Sequence, residues 1–150
     1  MKIKVITSYK PGTWNDYAKR AVDSVLEHWP ADTDVAVYHE AQAHDIFDHP
    51  RVQWLDVHEV QPALLDFKNK HKDDPVANGE IEEIPNGVRR PGPMPTKGSF
   101  QWNAVRFANK VFCVTHAVKS SPGYDYIIWL DADTYSFRPM PKDFLEQLLP

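Results

Sequence analysis

Apolar residues recur along this chain with two different periods, and the alternation between those periods predicts its elements. Ile3 to Tyr9 is a short β-branched run ending at the turn signal Lys10-Pro11-Gly12, so it predicts a first strand followed by a loop. Tyr17, Ala21 and Val25, with Ala18, Val22 and Leu26 beside them, then repeat at helical spacing until Trp29-Pro30 stops them, and Thr13 stands where an N-cap is expected. Val35 to Tyr38, after the Asp32-Thr33-Asp34 turn, and Val52 to Val57, after His49-Pro50, read as two more short strands. Ala63 to Lys72 predicts a short helix.

The next stretch, Asp73 to Lys97, is poor in core residues and rich in Pro, Gly and charge, which predicts a long flexible loop. Loops of that length inside a compact domain are uncommon; Arg89, Arg90 and Lys97 suit a phosphate-facing lid, and a solvated insertion is the alternative. Gly98 to Lys119 reads as the longest helix, with Phe100, Ala104, Phe107, Ala108, Val111, Val114, Thr115 and Val118 as its inward face, ended by Ser120-Ser121-Pro122-Gly123. Tyr126 to Leu130 is a continuous apolar run, the pattern of a strand covered on both faces at the centre of a sheet. Lys142 to Leu149 closes the chain as a short helix. Strands alternating with helices predict an α/β fold, a single Rossmann-like domain over 1–150 whose mostly parallel sheet is flanked by helices.

Composition narrows the function classes. A net charge of −4 and a pI near 5.9 give no general basic field, so nucleic acid is not an expected partner. No apolar run approaches a membrane span and Met1 to Ile6 is too short for a signal peptide, so the expected location is the cytoplasm. The single Cys113 lies in an apolar run and is expected to be a buried, inert thiol. His39, His44, His49, His58, His71 and His116 lack zinc-ligand spacing and read as surface or packing residues. Trp14, Trp29, Trp54 and Trp129 fall in predicted elements as core, which leaves Trp102 as the one to watch for sugar stacking.

The candidate chemistry sits at Asp131-Ala132-Asp133. Asp32-Thr33-Asp34 spells the same triplet in a polar turn, so spelling carries little and position has to carry the inference. Asp131 and Asp133 follow five apolar residues, at a strand end of the kind where open α/β sheets place ligands, and side chains two apart in extended backbone face one side. Converging carboxylates repel unless they share a cation, and Mn²⁺ or Mg²⁺ would take their oxygens while leaving positions for phosphate. Capping of the following turn is the structural alternative.

A β-α-β start followed by a long helix and an apolar strand ending in D-x-D resembles the GT-A-fold glycosyltransferases over nearly the whole chain. The resemblance implies a nucleotide-sugar donor, UDP-glucose as the first candidate, with Asp133 as the main metal ligand and catalytic residue and Asp131 as its partner on metal or ribose. It further implies donor contacts at the end of the first strand, Thr7, Ser8 and Tyr9, with Tyr9 stacking on the base, and at the end of the second, where Tyr38, His39 and Glu40 stand and Glu40 is the candidate. An aromatic-x-Arg pattern known in some members has its nearest local match at Asn103-Ala104-Val105-Arg106-Phe107. Arg106, a second catalytic candidate, and Lys110 lie on one helical side with Asn103, suited to a diphosphate. The sequence departs from the family after D-x-D, where Thr134 to Pro150 supplies neither an acceptor pocket nor a His. It is therefore similar to the donor half alone, as in a minimal enzyme of the compact bacteriophage-encoded kind acting in host cytoplasm, a fragment, or a chain whose acceptor site comes from a partner or second copy. Slow hydrolysis of the donor is then the expected residual chemistry. The rivals are a nucleotide-sugar-binding module without turnover, a sugar-phosphate nucleotidyltransferase, which lacks its G-x-G-x-R here, and a haloacid-dehalogenase-type phosphatase, whose downstream motifs have no room.

Overall fold

The computed structural model describes residues 1–40, 48–80 and 103–149. Its strands are β1 (Ile3–Ser8), β2 (Asp34–His39), β3 (Val52–Asp56) and β4 (Tyr126–Trp129), and they form one sheet in the order β3-β2-β1-β4. Every pairing is parallel, with Val5 opposite both Val35 and Ile128. Helices α1 (Lys19–His28), α2 (Val57–Val60), α3 (Pro62–His71), α4 (Ala104–Ser120) and α5 (Lys142–Leu148) supply the crossovers and cover both faces. The expected α/β, Rossmann-like architecture with helices flanking a parallel sheet is what the described residues form.

Alternation along the strands sorts the core into two layers. Ile3, Val5, Val35 and Val37 face α1 and α5 together with Trp14, Val22, Val25 and Leu145. Ile6, Ala36 and Tyr38 face the other way, against Leu64 of α3 and Ala108, Cys113 and Ala117 of α4. Ile6 and Leu64 are wholly buried, and cutting either to alanine is expected to cost roughly 2–5 kcal/mol.

The turn after β1 closes from the Thr13 N–H to the Lys10 carbonyl at 3.1 Å, with Gly12 at φ 83°, a left-handed conformation that favours glycine. Thr13 does not cap the following helix as expected; its hydroxyl donates to the Lys10 carbonyl at 2.6 Å instead, and the chain enters α1 through one π-helical turn, Trp14–Ala18. The third strand ends one residue earlier than predicted, because the Asp56 carboxylate accepts from the His58 N–H at 2.8 Å and starts α2.

Two larger expectations are corrected. Among the described residues β4 lies at the sheet edge, not its centre, and its four residues are half-buried. Its apolar run reflects helices on both faces: Ile127 and Trp129 pack into the α4 layer, Tyr126 and Ile128 into the other. The predicted inward face of the long helix is rotated as well. Ala108 is buried as expected, but Val111 and Val118 are 61% and 58% exposed, while the sheet-facing stripe runs through Ala108, Cys113 and Ala117. Helix α4 is apolar on more than one side, so periodicity alone did not select the face. Gly98 to Trp102, most of the predicted 73–97 loop with Arg89, Arg90 and Lys97, and His44 lie outside the described residues. No helix among the described residues is long and apolar enough to cross a membrane.

Candidate functional site at the carboxyl edge of the sheet

All strands being parallel, their carboxyl ends gather on one edge, and one turn of α4 reaches both sides of it. The Leu130 N–H donates to the Ile6 carbonyl at 3.0 Å, which keeps the chain alongside β1 for one residue past β4 and sets Asp131 near the end of that strand. The Asp131-Ala132-Asp133-Thr134 segment is then a turn, closed by the Thr134 N–H on the Asp131 carbonyl at 2.9 Å. Ala132 is buried against the α1 layer, and Asp131 and Asp133 on either side of it are exposed. Both carboxylates thus face solvent, but on a turn instead of the extended backbone the spacing suggested.

Asp131 is held from two directions. The Trp129 indole N–H donates to its Oδ1, and Lys110 Nζ lies 3.4 Å from the same oxygen and 5.1 Å from the centre of the Trp129 ring. These contacts fix the carboxylate while leaving its Oδ2 without a partner among the described residues, and Asp133 has none there either. Among the described residues no group of three or more His, Cys, Asp or Glu is arranged to hold a metal ion. Two carboxylates alone are a partial set for a hard cation, which takes about six oxygens. Arg106 is exposed one turn before Lys110, and Asn103, the third member of that stripe, is occupied as the N-cap of α4, accepting from the Arg106 N–H at 2.8 Å.

On the other side of the same turn, Asn109 Nδ2 donates to Glu40 Oε1 at 3.0 Å. Glu40 Oε2 takes Lys68 Nζ at 2.9 Å, with His58 Nε2 at 3.6 Å. Glu40 therefore ties α2, α3 and α4 together past the end of β2. Cys113, on the sheet side of α4, is buried as its apolar run predicts, and burial pushes its thiol up to about 12. Asn109 and Lys68 carry no functional signal in the sequence, and His58 reads there only as a surface or packing residue. Asn109 and Lys110 are neighbours on α4, yet only the basic one carried a recognisable signal.

The remaining sequence candidates are in the core. Tyr9 is 5% exposed and packs on Trp14 at 5.3 Å between ring centres, and Trp14 in turn meets the edge of Trp54 at 4.8 Å. As placed, the Tyr9 ring offers no face to a base. Thr7 is buried toward α1, its hydroxyl among the apolar side chains of Val22, Val25 and Leu130. Tyr38 points away from the edge, bonded to His116 Nδ1 at 2.8 Å, and His39 is buried near Trp54. The structure thus gathers Glu40, Lys110 and Asp131 around one turn of α4, with Asp133 two residues beyond Asp131 on the turn that follows β4. It leaves Thr7 and Tyr9 out.

No known family, characterised protein or solved structure matches the chain.

Proposed function

We propose that the carboxyl edge binds a nucleotide-sugar, with UDP-glucose as the first donor to test, through Mn²⁺ or Mg²⁺ held by Asp131 and Asp133, and that the chain is a metal-dependent glycosyltransferase of the GT-A kind or the donor-binding half of one. The observation that carries this reading is the pairing of an exposed ammonium and an exposed carboxylate, Lys110 and Asp131 at 3.4 Å, beside a second open carboxylate at the ligand-binding edge of a parallel sheet. Lys110 supplies charge for a diphosphate, with Arg106 one turn away on the same helix. The indole N–H of Trp129 orients Asp131, so that carboxylate is set before any ligand arrives. A bound metal supplies Lewis-acid neutralisation of the departing nucleoside diphosphate.

Titration calorimetry with UDP and UDP-glucose, with and without MnCl₂, tests the reading. Binding is expected only with metal, and Asp133→Asn is expected to weaken it at least about tenfold, the loss typical of a charged metal ligand or its orienting partner. Absence of heat for every UDP-sugar overturns the proposal. Incubation with radiolabelled donor separates turnover from storage: release of sugar supports an enzyme, and donor recovered intact beside clear binding leaves a binding module.

A further inference from the structure

Beyond Asp133 the chain runs back along α1 as a strap, and its anchoring turns aromatic side chains outward. Ser136 faces in: its N–H donates to the Ser24 hydroxyl at 3.0 Å, and its own hydroxyl accepts from the Trp29 indole N–H at 2.9 Å. The Met140 N–H, donating to the His28 carbonyl at 2.7 Å, secures the far end. With Ser136 pinned inward, its neighbours on either side project away from the core, and Tyr135 and Phe137 are 43% and 77% exposed. The Arg20 guanidinium lies 3.6 Å from the centre of the Tyr135 ring and covers one face of it. Arg138 is 5.6 Å from the centre of Phe137, which remains the open ring.

Strap and helix enclose an open groove of about 410 Å³. Its helical wall presents Asn15, Lys19, Arg20, Asp23 and Glu27, two cations against two anions, and Lys19 Nζ meets Asp23 Oδ2 at 2.6 Å. A balanced wall of this kind has no net attraction for a phosphate or polyanion. It offers many hydrogen-bond donors and acceptors next to an exposed aromatic face, and the matching ligand is neutral, rich in hydroxyls and apolar on one flat side.

We propose that this groove binds a neutral oligosaccharide, with one pyranose ring stacked on Phe137 and its hydroxyls bonded to Asn15, Asp23 and Glu27. The anchors at Ser136 hold the strap before binding, so little ordering is lost when the sugar arrives. The strap begins immediately after Asp133, so under the function proposed above the groove receives the acceptor. That role rests on the earlier reading, whereas the binding does not.

A ¹H–¹⁵N NMR titration of the full chain with maltotetraose, cellotetraose and chitotetraose, without nucleotide or metal, tests it. The indole N–H of Trp29, bonded to Ser136, is the internal reporter. At least one sugar is expected to shift that resonance and the amides of Tyr135 to Arg138. Phe137→Ala is expected to weaken binding roughly five- to tenfold, the worth of one aromatic contact, with the rest of the spectrum intact because the side chain is exposed. Glu27→Gln, which keeps size and exposure, is expected to weaken it too. No shift with any of the three on the order of 10 mM, a response mapping elsewhere, or binding indifferent to Phe137 overturns the proposal. So does concentration-dependent broadening at the strap that sugar does not relieve, which marks a protein contact. UDP with MnCl₂, titrated in the same series, keeps the two proposals separable: sugar binding without UDP binding defeats only the donor site, and the reverse defeats only the groove.

Discussion

Glu40→Gln distinguishes a carboxylate that ties helices from one that waits for a nucleotide base. Lys68 Nζ stands 2.9 Å from Glu40 Oε2, and the two side chains are 19% and 22% exposed. At an effective dielectric near 20, two unit charges at that distance attract by roughly 6 kcal/mol, and most of this is offset by the desolvation of both groups. What the substitution removes is the compensation for Lys68, since glutamine still presents an Oε1 to Asn109. Discounted for the remaining exposure, the expected loss is about 2–3 kcal/mol.

In a chain of 150 residues each kcal/mol lowers the melting temperature by about 2–4 °C, so calorimetry should record a fall of about 5–10 °C. Pairing Glu40→Gln with Lys68→Met should recover part of it, because the uncompensated ammonium is then gone. UDP affinity, measured well below the transition, should change by less than about twofold. A melting temperature that moves by under about 1 °C together with a tenfold loss of UDP affinity would refute the reasoning and return Glu40 to the ligand.

Two further expectations concern protons and a thiol. Burial first, then the hydrogen bond to Asp34, raises the Tyr124 phenol from 10.0 to about 12. The folded chain keeps that proton where the unfolded chain releases it, so its stabilisation is complete below pH 10 and lost as pH rises toward 12; Tyr124→Phe should flatten that part of a melting-temperature series, and an unchanged slope would refute it. Cys113 is fully buried, with its thiol raised from 9.0 to about 12, so Ellman's reagent should leave it unmodified at pH 8 in the native protein and react with it in denaturant. Prompt native reaction would contradict that burial.

The elements were legible from the sequence because each carries a local signature. The β-branched run Ile3–Ser8, the alternating apolar residues of Val52–Asp56, the α1 stripe through Ala21, Val22 and Val25, and Pro62 at the start of α3 all point the same way at short range. Sheet order and helix face are not local properties. Tyr126–Trp129 is apolar on both faces because helices cover both, and that pattern is the same at an edge as at a centre. In α4, Phe107, Val111 and Val118 repeat as regularly as Ala108, Cys113 and Ala117. The smaller residues win the sheet side, where close approach of the backbones favours them.

The same distinction governs the candidate site. Asp131 and Asp133 were visible as an acidic pair after an apolar run, but what orients Asp131 is a side chain whose sequence pattern speaks only for the core. Trp129 is half-buried, and its ring packs in the α4 layer while its N–H turns to the carboxylate. An indole with one apolar body and one polar edge is suited to that boundary. Glu40 shows the converse, a carboxylate in the expected place at the end of β2 whose oxygens are already engaged by Asn109 and Lys68. Position along the chain brings a charged residue to the edge of the sheet; whether that charge is available to a ligand depends on partners more than a dozen residues away, such as Lys68 at a separation of 28 and Asn109 at 69. Lys110 meets that condition with Asp131 in the open, where Oδ2 of Asp131 stays uncommitted among the described residues.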